Sequence, residues 1–264
     1  MERLDKQRIL GGLPAVARDA LGSLTVLGEV DSTNRFLLEG QAFGDWDVHA
    51  CVAEAQTAGR GRRGRVWVSP AGANLYLSVL RIFTAIPESL QGLSLAVGVA
   101  VARAMQSLKV EGIALKWPND ILLDGRKLGG ILLEASAAGA GAWRVVTGIG
   151  INVDMPGSAA ADIDQPWTDL ASHGMHPGRN RLASCVLAEV MVAQAQFIES
   201  GFQVFRRDWE HLDTLRDREV VLDTASSCRR GTARGVDDNG ALLLEVDGRR
   251  ERVLSGDVSL RVST

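Results

Sequence analysis

Apolar residues alternate with polar ones in some stretches of the chain and recur three and four apart in others, and the two periods mark different elements. Residues 23–30 (SLTVLGEV) alternate as a strand does and run into Asp31, Ser32, Thr33 and Asn34, four residues suited to start a helix, before the apolar FLLEG. Residues 48–55 read as a second strand and residues 74–82 (NLYLSVLRI) as a third. Between them GRGRRGR, residues 59–65, is left as a loop joining two strands. Residues 88–108 carry apolar positions at helical spacing, with Gly92 and Gly98 permitting close packing, so a buried helix is expected there. In residues 113–136 (IALKWPNDILLDGRKLGGILLEAS) the pair Asp124-Gly125 is a two-residue hairpin turn between two apolar runs. A strand over 143–153 follows. Residues 154–180, rich in Gly, Pro and polar residues, read as a long surface loop, and helices are expected over 182–199 and 202–212.

After residue 213 the texture changes. REVVLD, RRGTARGV, ALLLEVDG and RRERVLS are short strand signals, with turns at Asp238-Asn239-Gly240 and Asp247-Gly248. The chain therefore divides into residues 1–213 and a tail, residues 214–264, expected to form a small C-terminal β-barrel. Nine arginines face nine acidic residues in that tail, a balance unlike that of a basic nucleic-acid module.

Composition narrows the classes without changing this layout. The 264 residues are 46% hydrophobic and 23% charged, as in an ordinary soluble globular protein, with a net charge of −3. The N-terminus, MERLDKQRILGG, lacks the apolar core of a secretory signal, and the apolar stretch 93–105 is short for a bilayer and broken by Arg103. A cytoplasmic location with no membrane partner is expected. Cys51, Cys185 and Cys228 are odd in number and far apart, fitting reduced thiols better than disulfides or a CxxC metal site. His173 and His176 lack ligand-spaced partners and read as loop histidines, and no GxSxG elbow is present.

The chemistry concentrates in a few segments. Gly59, Gly61 and Gly64 let backbone N–H groups converge on an anion while Arg60, Arg62, Arg63 and Arg65 offer bidentate bonds to phosphate or carboxylate; a solvated basic loop or an RGG-like nucleic-acid contact are the other readings. Ser32, Thr33 and Asn34 both donate and accept, which suits a neutral urea-like ligand as well as it suits simple helix capping. Only four of the 29 basic residues are lysines, and two of them, Lys116 and Lys127, fall in one short segment. In Lys116-Trp117-Pro118-Asn119-Asp120, Pro118 forces Trp117 out of the helical region, leaving a cation, an amide and a carboxylate on a rigid corner suited to Mg²⁺ beside a nucleotide phosphate. Lys127 opens the return strand, followed by Gly129 and Gly130, where a ligand can lie close. Gly148-Ile149-Gly150-Ile151-Asn152 lacks the third glycine and following helix of a dinucleotide fingerprint.

Taken together, EVDSTN (residues 29–34), EAQTAGRGRRGR (54–65), GANLYLS (72–78), KWPND (116–120), KLGGILLE (127–134) and TGIGINV (147–153) resemble, in order, the successive motifs of bacterial biotin protein ligases. Gly129 stands where an alanine is common in that family. The resemblance implies an α+β fold with a mixed, largely antiparallel sheet flanked by helices. It implies ATP-dependent activation of biotin to biotinyl-5′-AMP, then transfer to a lysine of a biotin carboxyl carrier protein domain. By the same resemblance biotin is held by Ser32, Thr33, Asn34, Gln56, the Gly59–Arg62 backbone, Lys127 and Gly130. ATP contacts fall to Arg62, Arg63, Arg65, Trp67, Lys116, Asn119, Asp120 and Asn152, with Mg²⁺ accompanying ATP and Asp120 a candidate for it. Lys127, Arg62 and Asp120 are the candidate catalytic groups. Many relatives carry an N-terminal winged helix that binds DNA, whereas only residues 1–28 precede the first motif here, so no DNA partner is expected, and the protein is a monomer or homodimer. The rival readings are lipoate or octanoate ligation on the same fold, whose alkyl substrate has no use for a polar pocket, and nucleic-acid binding through the arginines, which the net charge disfavours.

Overall fold

Seven strands build one sheet whose two faces serve different ends. The structure, a computed structural model, describes residues 2–40, 48–84, 90–139, 141–159, 163, 165–223, 228–254 and 259–262. Two short helices, α1 (Lys6–Gly11) and α2 (Ala15–Ala20), precede β1 (Ser23–Val30). After α3 (Thr33–Glu39) comes β2 (Val48–Gln56), parallel to β1, and then β3 (Leu75–Phe83), antiparallel to β2. Helix α4 (Leu90–Ser107) leads to a meander of β4 (Ile113–Lys116), β5 (Asp120–Leu123), β6 (Arg126–Gly139) and β7 (Ala142–Ile151), which folds back to pair β7 with β3. The strand order is β1-β2-β3-β7-β6-β5-β4, and only the β1–β2 pairing is parallel. The expected mixed, largely antiparallel sheet is therefore present. Residues 88 and 89 of the expected helix over 88–108 lie outside the described residues.

Strand alternation sorts the side chains. Ala50 and Val52 of β2, Leu75, Leu77 and Val79 of β3 and Ile149 and Ile151 of β7 join one core with α4, α5 (Arg179–Ser200) and α6 (Gln203–Leu212). Their neighbours on the opposite face, Cys51, Leu80 and Val146, pack with Leu37 of α3 in a separate small cluster. Burial on both faces explains why these strands read as near-continuous apolar runs. Helix α5 is long and apolar enough in composition to cross a bilayer, yet Leu182, Val186, Leu187 and Val190 are fully buried within the core.

Two features depart from the sequence reading at the ends of elements. Nothing pointed to α1 and α2, which are six residues each; Asp5 caps the first by accepting from Arg8 N–H at 2.8 Å. Helix α5 begins three residues before the expected 182, with Arg179 and Asn180 buried. An arginine belongs there because it is paired: Arg179 Nη1 lies 2.6 Å from Glu54 Oε2, and its Nε donates to Asn74 O at 3.0 Å. Asn180 in turn accepts from Asp5 N–H and donates to Arg3 O, tying the N-terminal segment to α5. Arg179→Ala strands the Glu54 carboxylate and is expected to cost about 3–5 kcal/mol of stability, read as a lowered urea midpoint at unchanged m-value.

The tail forms β8 (Glu219–Asp223), β9 (Cys228–Val236), β10 (Leu242–Val246), β11 (Arg249–Val253) and β12 (Ser259–Val262), ordered β11-β10-β9-β8-β12. The expected β-barrel is not closed: among the described residues no pairing joins β11 to β12, and the result is an open antiparallel sheet. Its apolar side chains, Leu222, Val236, Leu242 and Leu244, belong to the same core as α4 and α6, so the sheet buries its face against the rest of the chain instead of around itself. At the junction Gly240 (φ 81°) lies against Gly92 of α4 with no room for a Cβ, and its carbonyl accepts from Trp117 Nε1 at 3.0 Å. Trp117 is 1% exposed, so the KWPND corner is anchored in the second sheet.

Candidate active site

On the α3 side of the sheet, beyond the Leu37 cluster, the strands leave a cleft of about 1260 Å³. Its floor is made by alternation: Gly130 and Leu132 of β6 and Gly148 and Gly150 of β7 share a face, with Gly130 opposite Gly150 and Leu132 opposite Gly148. The missing side chains of β7 are what make room. Asn34 fills the space over Gly148 and the Trp67 indole that over Gly150, each where a Cβ would collide. Gly148→Ala should displace the Asn34 amide, and is expected to weaken ligand binding by at least 10-fold, on the scale of one lost hydrogen-bonded group, measurable by calorimetric titration.

One wall is the start of α3. Ser32 is its N-cap, and Ser32, Thr33 and Asn34 are all buried. Thr33 donates from N and Oγ1 to Gln56 Oε1 at 2.9 and 3.1 Å, which turns Gln56 Nε2 toward Ser69 Oγ at 3.0 Å. Ser78 Oγ lies 2.7 Å from Thr33 Oγ1 and 2.6 Å from Asn34 Oδ1, while Asn34 Nδ2 donates to Glu134 Oε2 at 2.9 Å and Leu132 O at 3.3 Å. Amides have no preferred orientation until both ends are engaged; here they are.

The arginine segment is a folded hairpin. Arg60 and Val66 form an antiparallel bridge, Gly61 N donates to Arg65 O at 2.7 Å, and Trp67 N donates to Gly59 O at 2.9 Å. Its tip takes positive φ at Arg63 (58°) and Gly64 (72°), so a left-handed turn, not general looseness, is the local use of glycine. Gly59 alone of the expected site residues does not line the cleft: it sits behind the wall at the hairpin's neck, where a Cβ would meet Trp67 O and Ser69 Oγ. Arg60 pairs with Glu134 at 3.0 Å, and Arg62 Nη1 donates to Asn119 Oδ1 at 3.3 Å. Burial lowers the Arg62 pKa, and Arg63 and Arg65 lower it further while Asp120 opposes them.

The opposite wall is the β4–β5 corner and the start of β6. Asn119 Nδ2 donates to Ile131 O at 2.9 Å, holding the amide against β6. Lys127 Nζ lies 2.7 Å from Asp120 Oδ1 and 5.7 Å from the Trp67 ring centroid, with both charged side chains largely buried. The backbone of Lys127 is held on both sides, by Leu122 of β5 and by Trp167, with Thr168 N donating to Lys127 O at 2.9 Å. Residues 165–168 are thus a wall of the cleft, not the surface loop that their composition suggested. Asn152, 3% exposed, donates from Nδ2 to Thr168 O at 3.0 Å, and its buried Oδ1 has no partner among the described residues.

Ser32, Thr33, Asn34, Gln56, Arg60, Gly61, Arg62, Arg63, Arg65, Trp67, Lys116, Asn119, Asp120, Lys127, Gly130 and Asn152 all line this one cleft. Sequence reasoning missed Glu134, Ser78 and Trp167. Glu134 was within reach, since it stands four residues after Gly130 on the same strand and therefore on the same face. Asp120 Oδ1 is paired with Lys127 Nζ at 2.7 Å, and among the described residues no three His, Cys, Asp or Glu side chains are grouped.

Residues 27–152 match the Biotin/lipoate A/B protein ligase family, and residues 219–261 match the Biotin protein ligase C terminal domain. The bifunctional ligase/repressor BirA of Escherichia coli is 39% identical over 264 residues, which cover 99% of this chain and 79% of that protein. The biotin–[acetyl-CoA-carboxylase] ligase of Mycobacterium tuberculosis is 38% identical over 241 residues, 89% of this chain and 88% of its own. Among solved structures, the biotin protein ligase from Aquifex aeolicus in complex with biotin and ATP superposes with a TM-score of 0.78 at 31% identity, over 91% of this chain and 99% of that one.

Proposed function

This chain belongs to the biotin protein ligase family, and from that premise we propose how its cleft divides the labour of an ATP-dependent biotinylation. The carboxylate of biotin attacks the α-phosphorus of ATP, pyrophosphate leaves, and the mixed anhydride biotinyl-5′-AMP is held until a lysine amine of a carrier domain attacks its acyl carbon and releases AMP and a proton. The observation that carries this reading is the gathering of Ser32, Gln56, Arg62, Asn119 and Lys127, from four separated segments, around one cleft with neutral polar groups at one end and cations at the other.

Hydrogen-bonding capacity supports biotin at the α3 end. Gln56 Nε2 keeps one N–H after Ser69, and Asn34 Oδ1 keeps a lone pair after Ser78; with the Ser32 hydroxyl these match a ureido ring, which offers one carbonyl and two N–H groups. A lipoyl or octanoyl chain would leave the same buried groups unpaired, which disfavours the lipoate reading. At the other end the orphan Asn152 Oδ1 is an acceptor, suited to the exocyclic amine of adenine.

Two anions must meet for the first step, so charge neutralisation and in-line placement matter more than a nucleophilic side chain. Lys127 and Arg62 supply that charge. Asp120, by holding the Lys127 ammonium, acts as its positioning counter-ion, and this contact supports that role over service as the base for the incoming amine. The divalent ion then arrives with the nucleotide, as MgATP. The test is direct: protein, biotin, MgATP and a carrier domain should add one biotinyl mass to a single carrier lysine. No mass gain, or a gain with lipoate and none with biotin, overturns the reading.

A further inference from the structure

The Glu134 carboxylate touches both the α3 wall, at Asn34, and the arginine hairpin, at Arg60. It stands on β6 across from Val146, its side chain 23% exposed, and no step proposed above uses it. Oε2 accepts from Asn34 Nδ2 at 2.9 Å and both oxygens lie 3.0 Å from Arg60 Nη2. Arg60 is the first residue of the arginine hairpin and Asn34 is the residue seated over Gly148. A single anionic side chain therefore bridges the α3 wall and the foot of the hairpin.

We propose that Glu134 is a positioning residue that couples recognition of the ligand's polar ring to closure of the arginine hairpin; this rests on the biotin reading given above. Accepting from Nδ2, it turns the Asn34 amide so that Oδ1 is the atom left toward the cleft, where it accepts a ring N–H. Rotated by half a turn, the same amide would offer a second donor to that N–H and repel it. Pairing with Arg60, Glu134 fixes the strand from which Gly61 and Arg62 project. The Asn34 contact is the better sheltered of the two, since Arg60 is 42% exposed and its ion pair is screened by solvent. The two contacts should therefore separate on substitution.

Glu134→Gln keeps an oxygen for Asn34 and removes the charge that holds Arg60. It is expected to leave the dissociation constant for biotin within about 3-fold of the parent while biotinyl-5′-AMP, trapped on the protein and followed after gel filtration, escapes several-fold faster. Glu134→Ala loses both contacts and is expected to add a weakening of biotin binding of about 10-fold or more, the scale of a hydrogen bond to a charged group. Arg60→Ala should reproduce the Gln variant, and Arg60→Ala/Glu134→Gln should release adenylate no faster than either alone, because one contact is removed once. Thermal unfolding of each variant reports folding separately, and comparison of the Gln and Ala variants keeps the test open if Ala is unstable. The inference is overturned if folded Glu134→Ala binds biotin and retains adenylate like the parent, or if the Arg60 and Glu134→Gln effects simply add. If the parent protein itself forms no adenylate from biotin and MgATP, the underlying reading fails and not this one alone.

Discussion

Lys127→Ala is expected to keep measurable biotin binding while adenylate formation falls by about 10²- to 10³-fold, the usual cost of removing one pre-aimed charged donor from a transition state. The expectation follows from where the ammonium sits. It is held by Asp120 at 2.7 Å and backed by the Trp67 ring, on the cationic side of the cleft and away from the groups suited to the ureido ring. Loss of Lys127 removes one of the two cations set between the biotin carboxylate and the α-phosphate, and it also takes from Asp120 its ion-pair partner. Single-turnover adenylation in a quench-flow experiment, with biotin affinity measured alongside, separates the two steps. A variant that adenylates at the parental rate would remove Lys127 from the chemistry.

The second large effect is expected at Arg62. Arg62→Ala removes the Asn119 contact near the tip of the hairpin together with a guanidinium whose pKa is lowered by burial and by the neighbouring Arg63 and Arg65. Escape of biotinyl-5′-AMP should accelerate by about 10- to 100-fold, the range for lost hydrogen bonds to a charged group. The mixed anhydride hydrolyses once it meets bulk water, so the same variant should waste ATP in the absence of carrier. Pyrophosphate release without carrier is the measurement, and a rate equal to the parent's would show that the hairpin does not retain the intermediate.

Much of this was legible in the sequence for a physical reason. Alternation placed β1, and short apolar runs bounded by turn or loop signals placed β2, β3 and β7, within a residue or two, while turn chemistry at Asp124-Gly125 located the β5–β6 hairpin, because these signals act locally. Of the expected site residues, all but Gly59 line the cleft. What the sequence withheld depends on partners distant along the chain. Arg179 looked like a loop residue because its counter-ion, Glu54, lies on β2. Residues 165–168 looked like surface because nothing local tells that they pair with Lys127. The tail looked like a barrel because short strands and turns do not say which surface will cover their apolar side; here α4 and α6 do. Gly59 looked like a ligand contact because it adjoins Arg60 and Gly61, which line the cleft, yet it is needed to let the hairpin's neck close on Trp67 and Ser69.

The two sources of positive charge that line the cleft are mounted differently. Lys127 belongs to a strand secured along both flanks, by Leu122 and by Trp167. The arginines ride on a short ribbon joined to the sheet chiefly at its base, through Arg60 and Trp67. On the proposed division of labour, reaction and retention would fall to separate parts of the fold, so the dwell time of the activated acyl group could be altered without retuning the chemistry that makes it.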